Sequence, residues 1–256
     1  MDSFLSSFNP VSLSELNLNS ALLKRSEQKY LASKNVLPDM VEELSQHFNI
    51  LEHSGKRIFF YESIYFDDDY QSFLQHQQGR RKRFKVRTRY YKDSDMCYLE
   101  MKVKTVQSIT DKYRIDYPVP DRFHITHEGL EFIKGTHETS YGVPAALNLV
   151  PVLRISHERI TLVSKEGGER MTIDLNLTTK TDTGSWDMPA DVIIIETKTK
   201  KLRGIADSIL RKYRIRSVEY CSKYCLALAK TGPGLRHNSF RPILRDIERL
   251  STISGM

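Results

Sequence analysis

The sequence has few cysteines and no long apolar segment, and both absences narrow the class of protein. Its three cysteines, Cys97, Cys221 and Cys225, are too few for a disulfide framework and are typical of a reducing compartment. No apolar run approaches the roughly 20 residues that a membrane-spanning helix needs. The N-terminus, from Met1 to Phe4, lacks a basic flank followed by an apolar core, so no signal peptide is expected. We therefore expect a cytoplasmic protein with no membrane insertion.

Internal repeats, low-complexity tracts and linkers are also missing, which predicts one domain over residues 1–256. We place its core at about 22–230, after a loosely held lead-in over 1–20 and before a C-terminal helix and tail over 235–256. Hydrophobic residues make up 39% of the chain and charged residues 28%, a globular balance. The net charge of +7 is modest, so the clustering of the cations is more informative than their total.

The densest cluster of cations lies between Gly79 and Tyr91. Alternate residues of a strand share a face and lie about 7 Å apart, and here one face carries Arg81, Arg83, Lys85, Arg87 and Arg89. The other face is mostly apolar, aromatic or β-branched, which suits a strand. A row of like charges costs stability unless an anion lies along it. The pattern therefore predicts a strand that binds a polyanion, with Arg80 to Arg83 near the entrance of the site.

Other predicted strands share this pattern of one charged and one apolar face. A polar turn joins 80–91 to 96–105, which predicts a hairpin whose charged faces lie side by side. Residues 112–114 and a loop around Trp186 are expected outside regular structure. Further strands are expected at 22–32, 57–66, 149–163, 170–178 and 191–200, and helices at 33–48, 70–78, 126–133, 205–212, 218–230 and 239–250.

Cations dominate the charged faces of these strands. They are Lys29, Arg87, Arg89, Lys102, Lys104, Arg159, Arg170 and Lys198, with Glu27, Glu100, Asp174 and Glu196 among them. A single strand of this kind usually turns its charged face to water. The excess of cations across the set favours an α+β fold whose strands close into an antiparallel barrel, with charge inward and helices outside. Such a cationic tunnel suits a chain of phosphates and a divalent metal that bridges phosphate oxygens.

The ordered motifs resemble the polyphosphate-polymerase (VTC) domain of the CYTH-like superfamily, the triphosphate tunnel metalloenzymes. No single motif is specific, but together they follow the order of the family over roughly residues 22 to 230. The matching motifs are Arg25–Tyr30, Lys85–Tyr91, Tyr98–Lys104, His157–Arg159, Arg170–Asp174, Ile194–Lys198 and Ser222–Tyr224.

This resemblance implies a closed barrel of about eight strands that is open at both ends. It also implies transfer of the terminal phosphate of ATP to a growing polyphosphate chain, with Mn²⁺ or Mg²⁺ as cofactor. The implied metal ligand is Glu196. The implied catalytic residues are Lys29, Arg87, Arg89, Arg159 and Arg170, and further binding residues are Lys102, Lys104, Arg114, Ser222 and Lys223, with Lys112 as an alternative to Arg114.

The sequence differs from hydrolase and cyclase relatives at one position and departs from the expected family pattern at two others. Arg25 stands where hydrolase and cyclase relatives carry the first Glu of Glu-x-Glu-x-Lys, and fewer acids favour the polymerase. Tyr220 and His157 stand where Lys and Tyr are expected, which leaves the nucleotide contacts open.

Two alternatives remain: a triphosphate hydrolase of the same fold, and a non-catalytic module that binds polyphosphate or nucleic acid. A specific nucleic-acid partner is not expected, because Phe84 and Tyr90 lie on the face opposite the cations, whereas a stacking platform needs both on one face. A separate membrane partner stays open.

Overall fold

The computed structural model describes residues 1–20, 26–105, 110–144, 147–200 and 203–253. The strands in these ranges are β1 (Pro10–Val11), β2 (Ser26–Ser33), β3 (Phe48–Leu51), β4 (Phe59–Asp67), β5 (Arg83–Tyr91), β6 (Met96–Lys104), β7 (Thr110–Asp116), β8 (Val150–Ser164), β9 (Glu169–Thr181), β10 (Gly184–Asp187) and β11 (Val192–Thr199). The α-helices are α1 (Asp2–Ser6), α2 (Leu13–Ser20), α3 (Leu37–His47), α4 (Gln71–Gln77), α5 (His127–Tyr141), α6 (Ile205–Lys212), α7 (Lys223–Thr231) and α8 (Arg241–Ile253). None of the helices in these ranges is long and apolar enough to cross a membrane.

One antiparallel sheet forms the centre of this α+β fold, with the strand order β2-β11-β9-β8-β4-β5-β6-β7. Three short strands extend it: β3 pairs with β8, β1 runs parallel to β3, and β10 pairs with β9. Over the residues described, β2 and β7 at the two ends of the order do not pair with each other. The predicted closure into a barrel is therefore not confirmed.

The sheet is nevertheless strongly curled. In a flat sheet, β2 and β6 would lie six strand spacings apart, roughly 29 Å. The Lys102 Nζ atom on β6 instead lies 3.8 Å from Glu27 Oε2 on β2. The faces that carry charge thus turn toward one another across a concave interior.

Helices pack on the convex face, as the sequence predicts. Ile133 of α5 lies against Val86 and Leu99, while Met40 of α3 and Leu210 of α6 pack with the strands at the other end of the sheet order. Each of these side chains is essentially excluded from water, and burial of such a side chain stabilises the fold by roughly 1.5–3 kcal/mol.

Helices α7 and α8, however, pack on the concave face, where the prediction had placed none. They cover Leu31, Ile155 and Ile194, which lie on the same strand faces as the charged residues but farther along. The N-terminal residues cover the opposite end, where Val11 and Leu16 pack with Phe59 and Val163. Both ends of the concave face are therefore apolar and packed, and the charged groups lie between them.

The lead-in over 1–20 is not loosely held, contrary to the prediction. Phe4 and Phe8 are each 2% exposed and contact each other edge to face in the core. The Arg57 guanidinium donates to the carbonyls of Leu5 and Phe8, which fixes this segment to the start of β4. Strand β1 then pairs with β3.

Several predicted boundaries also differ from the structure. Residues 112–114 lie in a strand, β7, and Trp186 lies in β10. Helix α7 begins at Lys223 rather than 218, because the preceding residues run along the free edge of β2: Val218 donates its N–H to the carbonyl of Lys29 at 2.8 Å. The left-handed backbone of Tyr220 (φ 57°) then turns the chain into the helix.

Strand β9 changes faces within its length. A bulge near Asn176, whose φ is 50°, shifts the register against β8. The Asn176 side chain therefore donates to Glu158 and does not lie on the face that carries Arg170 and Asp174.

Candidate functional site

Charged side chains gather in the middle of the concave face, in a set that we call the central cluster. Its carboxylates are those of Glu27, Glu100, Asp174 and Glu196, and its cations are Lys29, Arg87, Arg89, Lys102, Lys112, Arg159, Arg170, Lys198 and Lys223. The predicted residues Lys104, Arg114 and Ser222 border this cluster. Arg25 lies outside the described residues.

Asp174 is deeply enclosed, at 2% exposure. Arg159 donates two hydrogen bonds to its carboxylate, at 2.5 and 2.8 Å, and Lys223 from the first turn of α7 donates a third. Burial opposes ionisation, but these two cations outweigh it and hold the pKa of Asp174 well below its usual range. The carboxylate thus fixes Arg159 and Lys223 at one point of the concave face.

Glu100 organises a second group in the same way. The Arg87 guanidinium donates to its carboxylate from Nε at 2.8 Å and from Nη2 at 2.6 Å, and Lys112 forms an ion pair with it. Arg87 also donates to the hydroxyl of Tyr65 at 2.9 Å. Burial alone would raise the pKa of Glu100, but Arg87, Arg89 and Lys112 lower it well below the usual range.

Glu27 and Glu196 form a third group with two lysines, in which the charges alternate. Glu196 lies 2.7 Å from Lys198 and 3.4 Å from Lys29, and Glu27 contacts the same two ammonium groups. Burial, offset in part by Glu196, lowers the pKa of Lys29 and of Lys198 to about 8. These lysines hold the pKa of Glu196 well below its usual range despite its burial.

The cations of the concave face nevertheless outnumber its acids. Arg89 is 9% exposed, and its polar contact is the hydroxyl of Ser63 at 3.4 Å; no carboxylate within the described ranges lies within 4 Å of it. Lys85, Lys102 and Lys112 lie directly opposite one another on β5, β6 and β7. Buried or facing like charges are unfavourable without a counter-ion. The concave face is therefore built to take up an anion.

Helix α7 brings the last predicted residues to the cluster. The Ser222 hydroxyl, just before α7, accepts a hydrogen bond from Lys85 at 2.9 Å. Tyr224 donates its hydroxyl hydrogen to the buried carboxylate of Asp67, which fixes the helix against β4. Asp67 also accepts from the backbone N–H of Ser72, so one carboxylate joins β4, α4 and α7.

The two departures from the family pattern lie in different surroundings. His157 is 1% exposed, stacks on Tyr61 at 5.4 Å between ring centroids, and lies 3.6 Å from Asp174. Its pKa is lowered well below the usual value, chiefly by burial, so the ring is neutral. Tyr220 is 43% exposed and packs against Phe240 instead of projecting into the cluster. Of these two residues, only His157 therefore lies beside the cluster.

Several residues that complete this site make contacts that no local sequence pattern indicates. Lys85 was visible in the charged row of β5, but its contact with α7 was not. Asp174 was recognised as one acid among cations, whereas its place between Arg159 and Lys223 depends on residues far apart in the chain. Arg114 was predicted as a phosphate ligand, and it packs over the ring of Tyr98 at 4.5 Å on an exposed edge strand.

The matches to known proteins agree with this geometry. No curated protein matches the sequence. A candidate adenylate cyclase from Bacillus halodurans shares 13% identity and a TM-score of 0.51, over 82% of this chain and 98% of that one, which shows a common fold. A candidate adenylyl cyclase from Hippeastrum, described as having a dominant triphosphatase activity, gives 16% identity and a TM-score of 0.48 over 84% and 99% of the two chains. The PH1819 protein of Pyrococcus horikoshii gives 16% identity and a TM-score of 0.42, over 80% of this chain and 96% of that one.

The family comparison covers most of the sequence. The VTC domain matches residues 24–231, a range that contains all of the motifs from Lys85 to Tyr224 on which the resemblance was based. It includes β2 to β11, the whole central cluster and α7. As those motifs predicted, this chain belongs to the VTC domain family.

Proposed function

We propose that this chain transfers the terminal phosphate of ATP to a growing polyphosphate chain, as a metal-dependent phosphotransferase. The observation that carries the proposal is the excess of enclosed cations in the central cluster, above all the buried Arg89 without a carboxylate partner. Membership of the VTC domain family supports polyphosphate as the anion. Phosphoryl transfer is catalysed mainly by positioning and by stabilisation of the charge on the transferred oxygens.

The arginines and lysines of the cluster have different parts in this proposal. Arg87 and Arg159 are each held by a carboxylate through two hydrogen bonds, so their guanidinium planes have fixed directions before the substrate binds. A guanidinium can bind two phosphate oxygens at once, whereas an ammonium acts as a point charge. In this proposal, Lys29 and Lys198 therefore attract the phosphates by charge alone, while Arg87 and Arg159 set the orientation of the phosphates.

The state of the carboxylates favours transfer to phosphate over hydrolysis. A hydrolase must activate a water molecule with a general base, whereas the terminal oxygen of a polyphosphate acceptor is already anionic. Glu100, Asp174 and Glu196 are ion-paired, and their pKa values lie below the usual range, which makes them weak bases. None of these three carboxylates is therefore suited to be the general base that a hydrolase needs.

Glu196 and Glu27 have the chemistry to hold Mn²⁺ or Mg²⁺, because both ions prefer oxygen ligands. The described parts of the chain contain no group of three or more His, Cys, Asp or Glu that could hold a metal ion by itself. Glu27 and Glu196 would therefore supply two carboxylates to such an ion, which when bound would neutralise phosphate charge. Lys29 and Lys198 lie beside both carboxylates, where their ammonium groups would attract phosphate oxygens.

Incubation of the purified protein with ATP and Mn²⁺ or Mg²⁺ tests the proposal. We expect a polymer of phosphate on a gel; free phosphate without polymer would indicate the hydrolase, and neither product would indicate a binding module. Glu196→Gln should lower polymer formation at least 100-fold, while metal-free tripolyphosphate binds at least as tightly because one negative charge is lost. The matched control is Glu248→Gln, at an exposed ion pair on α8. Full activity of Glu196→Gln would contradict the metal assignment.

A further inference from the structure

A second cationic surface adjoins the central cluster and has no role in the function proposed above. It is an open groove of about 490 Å³ between α4 and the residues that lead into β5. We call it the basic groove; its lining residues are Gln71, Gln75, Gln78, Arg80, Arg81 and Lys82. All three cations are exposed to solvent.

The basic groove differs from the central cluster in having no acids. The stretch from Tyr70 to Tyr91 contains seven Lys or Arg residues and no Asp or Glu. Within the described ranges, no carboxylate lies within 4 Å of the cations that run from the groove to the cluster, which are Arg80, Arg81, Lys82, Arg83, Lys85 and Lys104.

Neutral groups hold several of these cations in place. Arg80 donates from Nε to the side-chain oxygen of Gln78 at 3.0 Å, and Arg83 donates to the carbonyl of Arg80. Lys85 lies 3.0 Å from His76 Nδ1 and 2.9 Å from the Ser222 hydroxyl. Burial and the surrounding cations lower the pKa of His76 to about 2, so this imidazole is neutral as well. Among the residues that the structure describes, no carboxylate therefore pairs with the cations of this row.

The row of cations is continuous with the central cluster. Arg83 on β5 lies opposite Lys104 on β6, and Lys85 lies opposite Lys102, one step nearer the cluster. From Arg83 to Arg89 the strand spans roughly 20 Å. Burial increases along it, from exposed Arg80 and Arg81 through half-buried Arg83 and Lys85 to buried Arg89. This geometry matches an extended anion whose end is enclosed and whose remainder lies in water.

We propose that the basic groove binds the part of a polyphosphate chain that extends beyond the central cluster. The proposal rests on the proposed function for the identity of the chain. A single-stranded nucleic acid is the competing ligand, but the lining contains no aromatic side chain on which bases stack. A chain of phosphates alone needs only cations spaced along its path.

Binding of two chain lengths tests this directly. Tripolyphosphate and a polyphosphate of about 100 units are titrated against the wild-type protein and the triple variant Arg80→Ser, Arg81→Ser, Lys82→Ser. We expect the triple variant to bind the long chain at least tenfold more weakly and tripolyphosphate unchanged. The slope of log affinity against log salt should fall by about two for the long chain, since each phosphate contact of a single strand contributes roughly 0.7. Where polymer is made, the triple variant should make shorter chains than the wild type.

The matched control removes three exposed cations elsewhere, by Lys180→Ser, Arg241→Ser and Arg245→Ser. Its affinity for the long chain should stay within twofold of the wild type. Equal losses in both triple variants, or none in either, would overturn the proposal. So would single-stranded DNA that binds as tightly as polyphosphate and depends on the same three residues. Because binding is read without turnover, a protein that makes no polymer but binds long chains through this groove would contradict only the proposed function.

Discussion

The central cluster and the basic groove are both cationic, but they hold their cations in opposite ways. In the cluster, carboxylates fix the cations: Arg159 and Lys223 share Asp174, and Arg87 is bound to Glu100. In the groove, Arg80 bonds to an amide oxygen and no acid is near. Under the proposed function, we expect the central cluster to set the geometry of a few phosphates and the basic groove to attract phosphates without fixing them.

Burial explains why the two regions differ. Asp174 and Glu100 are each 2% exposed, and a cation enclosed at that depth is costly unless a carboxylate compensates it. Arg80 and Arg81 remain in water and need no counter-ion. Arg89 is the exception in the cluster, since it is buried beside Ser63 and Tyr61 without an acid. Under the proposed function, Arg89 is the position at which we expect a bound phosphate to supply the missing negative charge.

The largest effect is expected when the pairing of the central cluster is broken. Asp174→Asn leaves Arg159 and Lys223 without a counter-ion at a buried site, and removal of one partner of such a pair costs about 3–5 kcal/mol of the free energy of unfolding. Tripolyphosphate supplies the lost negative charge, so it should stabilise the variant more than the wild type. Urea unfolding with and without tripolyphosphate measures both effects.

The matched control for this change is Asp182→Asn, at an exposed turn between β9 and β10, where we expect a change within about 0.5 kcal/mol. If Asp174→Asn unfolds like the wild type, the cluster does not depend on its carboxylates. If tripolyphosphate stabilises both proteins equally, phosphate does not bind beside Arg159 and Lys223.

The pH dependence of binding separates the two regions. The pKa of Lys112 is lowered to about 7 and those of Lys29 and Lys198 to about 8, in each case first by burial. Bound phosphate favours the ammonium form and raises these values, so the complex holds more protons than the free protein in this range. The affinity for tripolyphosphate should therefore fall as the pH rises from about 7 to 9, by up to tenfold per pH unit for each group.

Proton uptake gives the direct measurement of this effect. Calorimetric titration with tripolyphosphate at about pH 8, in two buffers of different ionisation enthalpy, should show net uptake. Lys112→Arg should reduce it, because arginine does not lose its proton in proteins. Release of protons, or uptake that Lys112→Arg leaves unchanged, would contradict a role for Lys112. The extra affinity for long chains should not show this pH dependence, because Lys29, Lys112 and Lys198 do not line the basic groove.

The sequence predicted the elements whose pattern is local. The hairpin of β5 and β6 follows from alternation over nine residues in each strand, and its charged face is the one that lies on the concave side. Helix α4 also ends where Gly79 predicts, because that residue has a φ of 67°. These features can be predicted from the two-residue alternation of a strand and from the position of one glycine.

Features that depend on distant contacts could not be predicted in this way. Strand β7 is exposed on both faces, so no apolar alternation marks it. Helix α7 lies on the concave face because Tyr224 bonds to Asp67 and Lys223 to Asp174, and no local pattern reports either contact. The apolar ends of the concave face could not be predicted for the same reason. Ile194 lies on the same face of its strand as Glu196, and it is buried because a helix covers it.

The smallest expected effect comes from giving the basic groove the acid that it lacks. Gln75→Glu keeps the shape of the side chain and places one carboxylate among Arg80, Arg81 and Lys82. An exposed ion pair is worth about 0.2–1 kcal/mol, so a carboxylate that competes with phosphate should weaken long-chain binding roughly two- to fivefold. Tripolyphosphate should bind as before, because the central cluster is unchanged. Gln46→Glu, an exposed change of the same charge on α3, should leave both affinities unaltered. Equal weakening by Gln46→Glu would mean that the net charge of the protein, and not the groove, attracts the chain.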